Sequence, residues 1–474
     1  MPYLLLSGFL LFAAYPLIGT TMAVWVLTAS QLALFVGEAR KRQVSGVGAF
    51  IFMSFLFFGV RPIYLILEND YKLLVFLFHV RASIFEIGDA ALWGSVALLC
   101  FALGAYFAPR VNRRWLQRRR ANAHMKSSQV LVSAQMGHGM LCCQLVTLPL
   151  MYILVKSGRG LYTSSFGAYA YDLPVPLQSI HIVAVLVLLE RYVRIKSPGS
   201  LVVLGVSVLL FLDFTWLMRD VSMFRGFYVA GVMIVGIAVL QRLKGRVGYA
   251  WIVIPIVAVQ PFFQYLGEAR VASNKQLQDE QLLDAVFEKR TLAETYWKFY
   301  DSKGDMNIFD TFVAAKQAQP AFYPYAWSWI YVPLHFIPRA WWDSKPKKGT
   351  TMDLSFTRGA PYCPGIAGFF LADGGLLWML VSMALLGYLV SLLDAYVFTM
   401  PMSYLKYCLI GIVTVNAMFL SRAFLWFYFW QLIYAAVPCV LLGWFFGRQA
   451  QRARRRVLGQ QRPSMRAAAP LSTE

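Results

Sequence analysis

Charge is what this sequence has least of. Only 14% of its 474 residues are Asp, Glu, Lys or Arg, against 59% hydrophobic ones, and a soluble domain cannot bury that much apolar surface. Acids are scarcer still, 23 against 44 basic residues, which leaves few carboxylates for acid–base chemistry. Cysteine occurs six times. Cys100, Cys142, Cys143, Cys408 and Cys439 fall in apolar segments, Cys363 lies outside them, and none has metal-ligand spacing. No disulfide framework is expected. The chain also lacks an Asp-x-Asp pair, a His-Glu-x-x-His or His-x-x-Glu-His run and a phosphate-binding loop. Metal-dependent sugar transfer and NTP use are therefore unsupported, and neither a metal nor a cofactor is expected. No basic residues precede the first apolar stretch and no Ala-x-Ala-like site follows it, so no cleavable signal peptide is expected. No internal repeat at a fixed period is visible.

What is present is a succession of apolar segments near the ~20 residues that cross a bilayer. They fall at about 3–18, 19–36, 46–67, 89–107, 130–155, 177–193, 199–217, 226–241, 248–266, 366–393, 405–421 and 424–446. The net charge of +21 does not point to nucleic acid, because the basic residues cluster in short loops: Arg40–Arg42, Arg110–Lys126, Arg191–Lys196, Arg242–Arg246 and Arg448–Arg466. Such clusters mark the cytoplasmic ends of spans, with anionic lipid headgroups as partners. Placing all of them inside predicts an all-α polytopic membrane protein of about twelve transmembrane helices with both termini cytoplasmic. Residues 1–266 are the first bundle and 267–365 a large periplasmic loop. The last spans occupy 366–446, and 447–474 form a basic, disordered tail. An amphipathic piece is expected over Tyr71–Ile87, amphipathic helices over 274–300 and 308–317, and a re-entrant or interfacial segment over 326–342.

The densest chemistry lies between Pro320 and Gly375. Tyr323, Tyr325, Trp327, Trp329 and Tyr331 alternate, and His335, Arg339, Trp341, Trp342, Lys345, Lys347, Lys348 and Arg358 follow, interleaved with prolines. Aromatic faces suit sugar rings and the headgroup zone, and Arg and Lys suit phosphate oxygens. The topology also puts Arg219, Arg225, Arg270 and Arg422 at the outer face, where positive charge is normally depleted. Any one of these can snorkel or pair with a loop acid, as Arg61 inside its span is expected to do. Together they point to an anionic substrate, with a diphosphate as the natural candidate. His335 lies four residues before Arg339, so on a helix the two share a face. It is the candidate general base, with Asp343, Asp353 and Asp373 competing. An interfacial histidine bonded to backbone is the bland alternative.

Ile337-Pro338-Arg339 followed by Lys345-Pro346, with Gly374-Gly375 next and Arg225-Gly226 opening an earlier span, resembles the O-antigen polymerase family of bacterial oligosaccharide repeat-unit polymerases. The resemblance covers about residues 210–446. It departs where many members carry an acid a few residues before the paired glycines and this chain has Gly368, Phe369 and Phe370. The resemblance implies a fold related to the large-loop (GT-C-like) membrane glycosyltransferases. It also implies polymerisation of undecaprenyl-diphosphate-linked oligosaccharide repeats at the periplasmic face of the bacterial inner membrane. In that reading His335 and Arg339 are catalytic. Arg219, Arg225, Arg270, Lys345, Arg358, Arg422, Tyr323 and Trp327 bind substrate, and a flippase and a chain-length regulator are the working partners. Two alternatives remain: an O-antigen ligase-like transferase, and a lipid-oligosaccharide flippase.

Overall fold

The computed structural model describes residues 2–14, 19–41, 43–69, 72–75, 78–125, 134–161, 174–221, 226–244, 248–251, 253–254, 308–317, 327–334, 364–400, 404–422 and 428–442, with isolated positions such as Ile337 and Trp342. In chain order they form α1 (Pro2–Ala14), α2 (Thr20–Ala39), α3 (Gly46–Leu67), strands β1 (Lys72–Val75) and β2 (Phe78–Arg81), α4 (Ile84–Val111), α5 (Arg113–Met125), α6 (Ala134–Leu161) and α7 (Pro174–Ile195). Then come α8 (Pro198–Val221), α9 (Gly226–Lys244), α10 (Ile308–Gln317), α11 (Trp327–Leu334), α12 (Gly365–Phe398), α13 (Tyr404–Leu420) and α14 (Tyr428–Leu442). Six of them, α2, α3, α4, α7, α8 and α12, are long and apolar enough to cross a bilayer. Along α8, Val202, Val206, Leu209, Leu212 and Trp216 are all exposed at the spacing of one helical face, a stripe suited to lipid rather than water. The architecture is that of an all-α membrane protein. The expected span 248–266 beyond Ile254, the helix over 274–300 and the tail 447–474 lie outside the described residues.

Two segments differ from expectation. The piece after Tyr71 is an antiparallel hairpin, with Lys72 paired to Arg81 and Val75 to Phe78. Ser83 and Glu86 then close a reciprocal capping box that starts α4. The basic loop after Arg110 is largely helical. Asn112 ends α4 by donating its amide to the Ala108 carbonyl and to the Tyr388 hydroxyl, and α5 follows, built from good helix formers (Arg, Leu, Gln and Ala). Leu116 is buried and Trp115 stacks on Tyr396.

The helices pack as two units. One takes Met1–Leu116, Lys244–Tyr396 and Val413–Trp430. Inside it, α3 carries a π turn at Leu56–Val60 just before Pro62. Proline has no N–H, so the Phe58 carbonyl four residues earlier loses its helical donor. The Gln31 amide of α2 supplies one at 3.1 Å, and the Thr28 hydroxyl lies within bonding distance of both the Val24 and the Gly59 carbonyls. In a membrane such substitution is obligatory. The N-terminus of α3 is capped by Asp394 of α12, whose two oxygens accept from the Gly46 and Val47 N–H groups at 2.9 and 3.0 Å. Further along, α4 and α12 touch backbone to backbone. A Cβ on Gly104 would lie 1.9 Å from the Ala384 carbonyl oxygen, and one on Gly387 would lie 1.9 Å from that of Phe101. Small residues permit this approach, and Ser391 bonds the Ala105 carbonyl across it.

The other unit takes Gln117–Leu243, Val397–Ile412 and Gln431–Glu474. Its core holds a closed polar network across α6, α7 and α8. The Gln144 amide nitrogen reaches His181 Nδ1 at 3.3 Å and the Ser207 carbonyl at 3.1 Å, while Ser207 donates to the Gln144 oxygen at 2.7 Å. An amide nitrogen only donates, so Nδ1 accepts and the ring proton sits on Nε2, which meets Thr147 Oγ1 at 2.8 Å. Glu190 then ties α7 to α9, accepting from Arg194 and from Arg242.

Candidate functional site

In the first unit, α10 is packed inside. Ile308 to Ala315 are all buried, including Asp310, an acid on an otherwise apolar face. Arg61 meets it with two parallel bonds, Nε to Oδ1 at 3.0 Å and the terminal nitrogen to Oδ2 at 2.7 Å, both side chains being 1% exposed or less. A buried carboxylate is tolerable on those terms, because a guanidinium fork satisfies both oxygens at once. Phe309 and Phe312 make T-shaped contacts with Phe58 of the π turn. At the other end of α10, Lys316 pairs with Asp89 and Gln317 donates to Glu86 at 2.6 Å. Burial lowers the pKa of the Lys316 ammonium from its ordinary value.

The start of α12 closes on the same place. Gly365 has φ +70°, and a Cβ there would come within 2.8 Å of both Ile308 and the Ser421 carbonyl. A side chain is excluded by conformation and by space. Three pieces separated in sequence therefore meet: α10, the first residue of α12, and the Ser421–Arg422 turn that ends α13. The backbone N–H of Arg422 donates to the Phe419 carbonyl in that turn.

The third component is α11, eight residues from the aromatic run. Asp373 of α12, 1% exposed, accepts the Ser328 N–H at 2.7 Å and so caps the helix at its start. The Trp329 ring stacks on Phe370 at 5.7 Å and 5° between planes, and its indole N–H donates to Ser382 at 3.1 Å. Immediately after Asp373, α12 breaks: Gly374 is extended and Gly375 has φ +76° with ψ −169°, a conformation essentially reserved to glycine.

Of the residues expected to form the site, Arg422 lies at this junction. Trp327 is the first residue of α11 and Arg219 belongs to the last turn of α8. His335, Arg339, Arg225, Arg270, Lys345, Arg358 and Tyr323 lie outside the described residues, as do Asp343 and Asp353. Asp373, a competing base candidate in the sequence, is buried and accepts the N–H of Ser328 at a helix N-terminus. Sequence reasoning missed Asp310, Ser328, Phe370 and Ser382. For Asp310 a signal existed only in sequence, an acid between the apolar pairs Ile308-Phe309 and Phe312-Val313. Among the described residues no three His, Cys, Asp or Glu side chains converge as a metal site would need. No protein-family model matches the chain, and no curated protein or solved structure does.

Proposed function

We propose that this chain is a polymerase of lipid-linked oligosaccharide repeats, with about twelve spans and a fold related to the large-loop membrane glycosyltransferases, working at the outer face of the bacterial cytoplasmic membrane. What carries the reading is that the aromatic and basic stretch is tethered to the membrane bundle on both sides. The tethers are the buried α10 before it, α11 within it and Gly365 behind it. A stretch rich in aromatic and basic side chains and anchored in this way suits a substrate whose lipid stays in the bilayer and whose glycan stands outside it.

In the reaction, a hydroxyl oxygen of the incoming repeat attacks the anomeric carbon of the chain's reducing-end sugar. The bond from that carbon to the diphosphate breaks, and the hydroxyl proton passes to His335. The undecaprenyl diphosphate leaves with the bonding electron pair and Arg339 takes up the new charge, with Arg219, Arg225, Arg270, Lys345, Arg358 and Arg422 as the proposed substrate-binding residues. Tyr323 and Trp327 hold sugar rings. The incoming units come from a flippase, and a chain-length regulator sets when the product leaves.

Arg339 is the test. Removing one positioned donor to a developing anion costs on the order of 10²–10³ in rate. Arg339→Ala should insert normally while long glycan disappears and single lipid-linked repeats accumulate. Arg339→Lys should recover part of the loss, because it keeps the charge without the planar fork. Near-normal polymer from well-expressed Arg339→Ala would reduce that residue to an interfacial anchor.

A further inference from the structure

The break in α12 has a geometric consequence. Asp373 and Ser382 bond successive residues of α11, Ser328 and Trp329. At about 3.6 residues per turn, positions 373 and 382 would stand on opposite faces of a continuous helix, about 13.5 Å apart along its axis. A regular α12 would therefore offer α11 one of these partners and turn the other away. The Gly374–Gly375 break redirects the chain between them. Phe370, three residues before Asp373 and on the same face of the first half, stacks on the Trp329 ring whose N–H meets Ser382 in the second half. One tryptophan thus spans the two halves of α12.

Space does not explain the second glycine. A Cβ on Gly375 would meet nothing within 4 Å, so nothing crowds the position and only its backbone conformation demands glycine. The fold keeps a weak point in a helix of the membrane bundle, and what the weak point supplies is the two-sided seat of α11.

We infer that Asp373, Ser382 and the Gly374–Gly375 break form a positioning device that fixes α11, and with it the point from which the chain enters His335–Arg339. The device is read from the structure alone, and its bearing on catalysis rests on the proposed polymerase activity. Asp373 acts through α11: its oxygen receives the N–H of Ser328. Asparagine caps helix N-termini as well as aspartate does, so the device requires an acceptor at position 373 and not a charge.

The experiment reads position first and activity second. Ile330 on α11 and Leu385 on the second half of α12 are both exposed, so spin labels there disturb little. In the full-length chain with its native cysteines replaced, the distance between labels at these two positions should be narrowly distributed. Asp373→Asn should leave the distribution narrow, whereas Asp373→Ala and Gly375→Ala should each broaden it. A distribution as narrow as the parent's in either of the last two variants overturns the inference. Broadening by Asp373→Asn equal to that by Asp373→Ala overturns it as well. With purified enzyme, polymerisation should follow the same order, with kcat falling in Asp373→Ala and recovering in Asp373→Asn. Distances that behave as expected in a protein that lengthens no glycan would sink the polymerase reading and leave the device standing.

Discussion

At the scale of single residues, several polar groups inside the apolar body of this protein have a specific partner. Arg61 and Asp310 show the sharpest case. Losing one member of a buried ion pair strands the other, at a cost of about 3–5 kcal/mol. Asp310→Ala should lower the midpoint of thermal unfolding in detergent markedly. Asp310→Glu, which keeps the charge but lengthens the arm, should lower it less. An unchanged midpoint in Asp310→Ala would mean that the fork contributes nothing to holding α10. His181 is the second case. With Nδ1 accepting from Gln144 and Nε2 donating to Thr147, the ring is a neutral crosspiece between α6 and α7. Gln144→Leu should leave Nδ1 without its donor and destabilise that unit by about 1–3 kcal/mol. A variant as stable as the parent in the same melt would show that the network carries no stability. The sequence suggested an acid partner for Arg61 but not which one, because Arg61 and Asp310 are 249 positions apart and periodicity reports only which face of an element is buried.

At the scale of elements, the hydrophobic pattern was a good guide wherever one helix face decided the outcome. The expected boundaries of α3 and α10 coincide with the observed ones, Gly46–Leu67 and Ile308–Gln317. It was a poor guide where backbone chemistry decided. The paired glycines inside the tenth expected span were visible, yet that they break α12 between two contacts to α11 was not. Nor was the helix in the basic stretch, because its content of arginine reads as a solvated loop while its propensity favours a helix. The glycine contact between α4 and α12 offers a test at this scale. Gly387→Leu would drive a side chain into the Phe101 backbone, and a rigid interface has no room to yield. The variant should accumulate poorly and melt early, whereas Gly236→Leu, with nothing within 4 Å of its Cβ, should accumulate like the parent. Equal behaviour of the two would contradict the close approach.

At the scale of the whole molecule, the proposed polymerase is a membrane bundle that seats a short aromatic helix, with the basic segment that follows it in sequence handling lipid-linked diphosphates. The topology can be tested independently of chemistry. Single cysteines at Ser302 and Thr350 in a cysteine-free chain should react with an impermeant thiol reagent in spheroplasts, and one at Ser128 should not. The reverse pattern would put the site on the wrong side. The most direct measurement is reconstitution. Purified protein is given undecaprenyl-diphosphate-linked repeat units labelled separately in the sugar and in the carrier phosphate, in liposomes and with no other enzyme. The account predicts lipid-linked glycan several repeats long and one free undecaprenyl diphosphate for each repeat added. Repeats that cross the bilayer unchanged, or that stay single with no carrier released, would contradict it.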